Sequence, residues 1–99
     1  MLNRLVINPN QITEFRSRVP QSGFIKFLFH STNPVDIILC NVDEKDFNNA
    51  EKKYKFENYL SVNSTLTIPK EWKGIVAHVR NRSGKYKLIC EYAFQYGKK

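Results

Sequence analysis

GFIKFLFHSTNPVDIILCNV, residues 23–42, is the stretch on which the fold turns. Its first part alternates. Ile25, Phe27 and Phe29 point one way and Lys26 and His30 the other, the period of two that marks a half-buried strand. Ser31-Thr32-Asn33-Pro34 reads as a turn. Val35 to Val42 reads as the next strand, with Val35, Ile37 and Leu39 on one face and only Asp36 and Asn41 interrupting the apolar run. Asp36 has two readings. We favour an outward-facing residue on a one-sided strand; the other is a carboxylate that holds a turn or pairs with an arginine.

Working outward, the same period recurs. RLVIN (4–8) and ITEFRSRV (12–19) read as strands, the second ended by a Pro20-to-Gly23 turn. Residues 60–69 hold one or two strands, with Leu66 and Ile68 alternating. PKEWKG turns the chain, and Ile75, Ala77 and Val79 then stand opposite Val76, His78 and Arg80. NRSG, with Gly84, is a hairpin signal. In KYKLICEYAFQY, Tyr86, Leu88, Cys90, Tyr92, Phe94 and Tyr96 share a face. The expected fold is therefore all-β, an antiparallel, jelly-roll-like β-sandwich of about seven or eight strands, with a closed barrel as the rival. It occupies residues 1–99 as one domain. DEKDFNNAEKKYKF allows at most one short helical turn near 43–50, capped by Asp43, with acids leading and lysines following.

Composition narrows the class. A hydrophobic content of 41% with 13% aromatics argues against disorder. No apolar run reaches the roughly 18 residues that span a bilayer, and MLNRLVINPNQ lacks the apolar core of a secretory signal. The expectation is a soluble, cytoplasmic protein with no membrane span. In that compartment Cys40 and Cys90, far apart in sequence, read as two buried thiols. A formal charge of +7 favours acidic partners, although the basic residues are spread along the chain.

Catalytic chemistry is thin. His30 and His78 sit on the polar sides of their strands, and no local pattern pairs either with a cysteine. Cys90 shares a face with large apolar residues and reads as packing, while Cys40 follows the Ile38 face and reads as semi-exposed. Asp43, Glu44 and Asp46 are dense enough for a calcium loop, but the glycine and the trailing glutamate of such a loop are missing, so they read as a solvated loop. Neither a metal nor another cofactor is expected. Asn63 and Asn81 begin glycosylation acceptor patterns, which matter only in a secreted protein.

The strongest positive signal is at residues 52–59. Lys52, Lys53, Tyr54, Lys55, Phe56 and Tyr59 interleave charge with rings, as single-stranded nucleic-acid sites do; Lys98 and Lys99 add charge at the C-terminus. The competing reading is structural. Tyr54 and Phe56 alternate with Lys53 and Lys55, so the rings pack inward from an edge strand or loop and the lysines stay in water. Trp72, in a turn before Gly74, is a further candidate contact, for a carbohydrate or a lipid surface, and its ring is either packed or exposed.

GFIKFLFHSTNPVDIILCNVDEKDF and LTIPKEWKGIVAHVRNRSGKYKLICEYAF resemble the hairpin and closing section of GOLD-type β-sandwiches. An uncharacterised bacterial family is similar in element order and in its basic, tyrosine-bearing segment after the VDI-like strand. The likeness covers roughly residues 22–94 and consists of strand patterns and turns. It implies a sandwich of about eight strands acting as a non-catalytic interaction module. Without a membrane segment or coiled coil, it implies no trafficking role. The expectation is a module with a protein partner, in a bacterial or phage cytoplasmic assembly. The alternative is a nucleic-acid-binding domain using residues 52–59.

Overall fold

The computed structural model describes residues 2–18 and 23–97. It contains six strands: β1 (Asn3–Ile7), β2 (Ile12–Arg18), β3 (Gly23–Asn41), β4 (Tyr54–Ile68), β5 (Gly74–Asn81) and β6 (Leu88–Gly97). Every pairing is antiparallel, and no helix occurs among the described residues. The fold is all-β, as expected, but the described residues hold six strands in place of seven or eight. The turn expected at Pro20 to Gly23 lies outside the described residues, except that Gly23 opens β3 at φ 137°.

The count differs because residues 31–34 are not a turn. β3 runs straight through them as one strand of 19 residues. Pro34 has no N–H to give a ladder, and prolines within sheets sit at edges or bulges. Here the β3–β4 register shifts between His30 and Val35. Side chains replace the lost pairing. Thr32 Oγ1 accepts the Ile89 N–H at 3.1 Å, and Ser31 Oγ accepts that of Asn33 at 3.4 Å. The residues that would close a turn serve here as a bend.

At this bend β3 changes partner. Phe24 to Ser31 pair with β6, and Val35 to Asn41 pair with β5. β5 and β6 thus lie end to end along one side of β3, with β4 along the other. β1 and β2 lie end to end outside β6 and β5. NRSG is accordingly no hairpin. Residues 82–87 are an excursion between two collinear strands, and Tyr86, expected on the inward face, stands there 64% exposed. Two halves result. One has the order β1–β6–β3–β4 and the other β2–β5–β3–β4, each using a different part of β3 and β4.

The sheet curls so that the inner faces of the halves meet. Phe15 of β2 stacks on Tyr92 of β6 with ring centroids 3.7 Å apart, and Phe27 of β3 approaches Phe56 of β4 at 6.2 Å. The alternation read from sequence sets the faces. Ile25, Phe27, Phe29, Ile37 and Leu39 are buried in one core while Lys26 and His30 are exposed. Each such side chain contributes about 1.5–3 kcal/mol.

The 43–50 segment forms successive turns and no helix. Asn41 accepts the Glu44 N–H at 2.9 Å, and Asp46 takes both the backbone and the side-chain N–H groups of Asn49. Side chains that bond nearby backbone in this way compete with helical pairing. Phe47 and Ala50 pack on Ile38, Cys40 and Val76, so the loop covers part of the outer face of the second half.

Asn81 ties the bend together. Buried to 1% exposure, its Nδ2 donates to the carbonyls of Ile7 (3.1 Å), Asn8 (3.1 Å) and Tyr86 (2.9 Å), and its Oδ1 accepts the Ser83 N–H at 3.0 Å. The fold thus consumes the side chain of its glycosylation pattern. Replacing Asn81 by Asp keeps the size but removes both donors and faces a carboxylate with carbonyl oxygens. We expect Asn81→Asp to cost about 3 kcal/mol or more and Asn81→Ala somewhat less, measured by urea unfolding at neutral pH. Equal stability of all three proteins would show that these bonds hold nothing.

Candidate functional site

β4 and the turn after it decide where the residues singled out at 52–59 go. Tyr54 and Phe56 fall on the inner side of β4. Tyr54 is half-buried, donates its hydroxyl to the Thr67 carbonyl and meets Trp72 edge-on at 6.2 Å. Phe56 is half-buried against Phe27, and Tyr59 stands against its edge at 5.6 Å. Trp72 is 4% exposed and Tyr59 is 46% exposed. The lysines are engaged locally: Lys52 pairs with Glu71, Lys53 donates to the Asn48 carbonyl, and Lys55 pairs with Glu57 at 2.7 Å. Lys52, Lys53, Tyr54 and Trp72 do border one hollow of about 280 Å³. Lys55, Phe56 and Tyr59 do not join it. The packed arrangement of the rings is the one found, with Tyr59 as the exception. Lys98 and Lys99 lie outside the described residues.

A more enclosed groove of about 220 Å³ lies on the outer face of the second half, lined by Ile12, Asp36, Ile38, Asn48, Lys55, Glu57, His78 and Arg80. Strand register builds it. Ile12, Arg80 and Asp36 form one row across β2, β5 and β3, and Glu14, His78, Ile38 and Lys55 form the next, reaching β4. Ile12 and Ile38 supply apolar surface, Asp36, Lys55, Glu57 and Arg80 supply charge, and Asn48 and His78 add polar side chains. Asp36 accepts the N–H of Asn58, held at φ 60°, at 3.0 Å, and pairs with Arg82 at 2.8 Å. Asp36 thus faces outward from a one-sided strand, as favoured, and it also holds a bend and pairs with an arginine. The charge in the apolar run is explained by partners 22 and 46 residues away. Arg80 has no carboxylate within 4.0 Å among the described residues. Lys55, Asp36 and His78 stand out singly in the sequence, whereas Arg80 and Glu57 become their neighbours only through strand pairing.

His78 lies against Phe47 with ring centroids 4.4 Å apart. Its buried Nδ1 has no hydrogen-bond partner among the described residues, and Glu14 Oε1 stands 3.8 Å off. Burial pushes its pKa below the ordinary histidine value, against the smaller upward pull of Glu14. Both cysteines are free and buried. Cys40 is not semi-exposed, because Phe47 and Ala50 cover its face. Burial pushes both thiols up to about 11, Cys40 with help from Glu44. A thiol held so high stays protonated at neutral pH, and the thiolate is the reactive form. Asp46 and Glu44 spend oxygens on the turn at Asn49 and on the Asp46 N–H, and Asp43 faces Lys73 at 3.9 Å.

Two measurements check this picture. A folded-state pKa below the unfolded value makes the His78 contribution complete above about pH 6.5 and loses it as the pH falls further. Wild type should therefore lose more stability than His78→Gln between pH 7 and 5 in urea titrations; parallel curves would place the ring in water. Trp72, the single tryptophan, should emit at short wavelength and resist acrylamide quenching in the native state; a water-like spectrum would put it at the surface. Neither a family model nor a curated protein matches this chain.

Proposed function

We propose that this protein is a non-catalytic interaction module, built as a jelly-roll-like sandwich, that receives a protein partner in the groove around Arg80. The order of the two halves, β1–β6–β3–β4 and β2–β5–β3–β4, supports the jelly-roll reading, and the resemblance to GOLD-type sandwiches agrees with it. The observation that carries the functional reading is Arg80 itself. Asp36, Lys55 and Glu57 in the groove wall are ion-paired, while Arg80 has no acid within 4.0 Å among the described residues and sits beside Ile12, 48% exposed. An arginine next to exposed apolar surface is the kind of group on which protein interfaces concentrate their energy. It suits a partner segment that presents a carboxylate beside an apolar side chain. Buried, protonated thiols support the non-catalytic part of the reading. The setting we propose is a cytoplasmic assembly.

The test is capture and crosslinking from cells that make the protein, using wild type and Arg80→Glu, each shown to be folded by circular dichroism. The expected result is a protein whose crosslinks map to the groove and whose recovery falls at least about tenfold with Arg80→Glu. A partner retained equally by the variant overturns the groove. Substrate turnover in a broad hydrolase screen, lost with Cys40→Ala or His78→Gln, overturns the non-catalytic reading.

A further inference from the structure

The outer face that carries the groove has a second concavity, at its far end. Arg16, Ser17, Arg18, Val42, Lys73 and Gly74 line a hollow of about 530 Å³. Three of these six are cations and none is an acid. Arg16 and Arg18 are alternate residues of β2 and so project from the same face. Lys73 comes from the turn before β5, with its N–H fixed by Asn41 Oδ1 at 3.2 Å. The floor is kept low by Gly74, which pairs with Arg18 across the ladder. A Cβ there would come within 2.8 Å of the Ser17 carbonyl oxygen and 3.3 Å of the Val42 side chain, so the position admits no side chain without movement.

The cations are only partly neutralised. Glu14 engages one Nη of Arg16 at 2.9 Å, which leaves the rest of that fork free. Asp43 stands 3.9 Å from a Lys73 side chain that is 80% exposed, a contact of little strength. Arg18 has no carboxylate within 4.0 Å among the described residues. Guanidinium forks flanking a hollow match the geometry of phosphate oxygens, with the ammonium as an added point charge.

We propose that Arg16, Arg18 and Lys73 form a binding site for phosphate groups. The site is separate from the Arg80 groove and does not use the inward-facing rings of residues 54–56. The phosphate is either that of a nucleic-acid backbone or that of a small phosphorylated compound.

The test is a nitrogen-15 NMR titration of the full chain with two probes, inorganic pyrophosphate and a 12-nucleotide oligo-dT, at low salt. Shifts at the backbone of Arg16, Arg18, Lys73 and Gly74 are expected. Arg18→Glu should weaken binding at least about tenfold. Lys26→Glu, which changes net charge equally but sits on the outer face of the other half, should leave the affinity nearly unchanged. Oligo-dT binding far tighter than pyrophosphate, with a log–log salt slope near −2, assigns the backbone phosphate; comparable affinities assign the small compound. The proposal falls if neither probe shifts these residues, or if Arg18→Glu and Lys26→Glu weaken binding alike, since that marks attraction by net charge alone.

Discussion

Four long stretches of chain have to bend along one line, and the rest of the structure depends on how that bend is held. A flat sheet of these lengths would leave its apolar face in water; folding it across the middle buries that face against itself. Each stretch meets the line differently. Between β1 and β2 the chain turns at residues 8–11, β3 bulges at 31–34, β4 passes through Asn58 at φ 60°, and β5 reaches β6 by way of residues 82–87. Backbone groups that lose ladder partners at a bend need substitutes. Asn81 serves Ile7, Asn8 and Tyr86, Asp36 serves Asn58, and Thr32 serves Ile89. Polar side chains are placed where the sheet cannot satisfy itself.

This arrangement links fold to surface. Asp36 faces two ways: its carboxylate fixes the β4 bend and also stands in the groove wall beside Arg80. It is held by Arg82 and the Asn58 N–H, and the Arg80 guanidinium has no carboxylate within 4.0 Å among the described residues. The loop after β3 likewise does two things. Phe47 seals Cys40 and crowds His78, and Asn48 forms one side of the groove.

Much of the inward and outward sorting was legible in sequence, because a period of two is a local property. Ile25, Phe27 and Phe29, then Ile37 and Leu39, then Ile75, Ala77 and Val79 all face the core as their alternation implies. The bend was not legible. Ser31 to Pro34 has the composition of a turn, and whether such residues reverse the chain or kink it depends on whether partners wait on the far side. Here β5 waits, and it lies more than 30 residues downstream. NRSG misled for the same reason, since Asn81 looks like a turn former and is a buried bridge. Of the candidate site, Tyr54 and Phe56 alternated correctly as inward residues, whereas the neighbourhood of Arg80 and Lys55 exists only through two ladders of the sheet.

A strand shared by both halves carries its register through both. A residue added or lost within a paired part of β3 would turn an inward set to solvent and break the match with β4 on the same strand. The gap in pairing between His30 and Val35 is the exception. On the β6 side Ser31 still pairs with Cys90, so only residues 32–34 lie outside every ladder of β3, and a change of length confined to them leaves the register of both halves as it is.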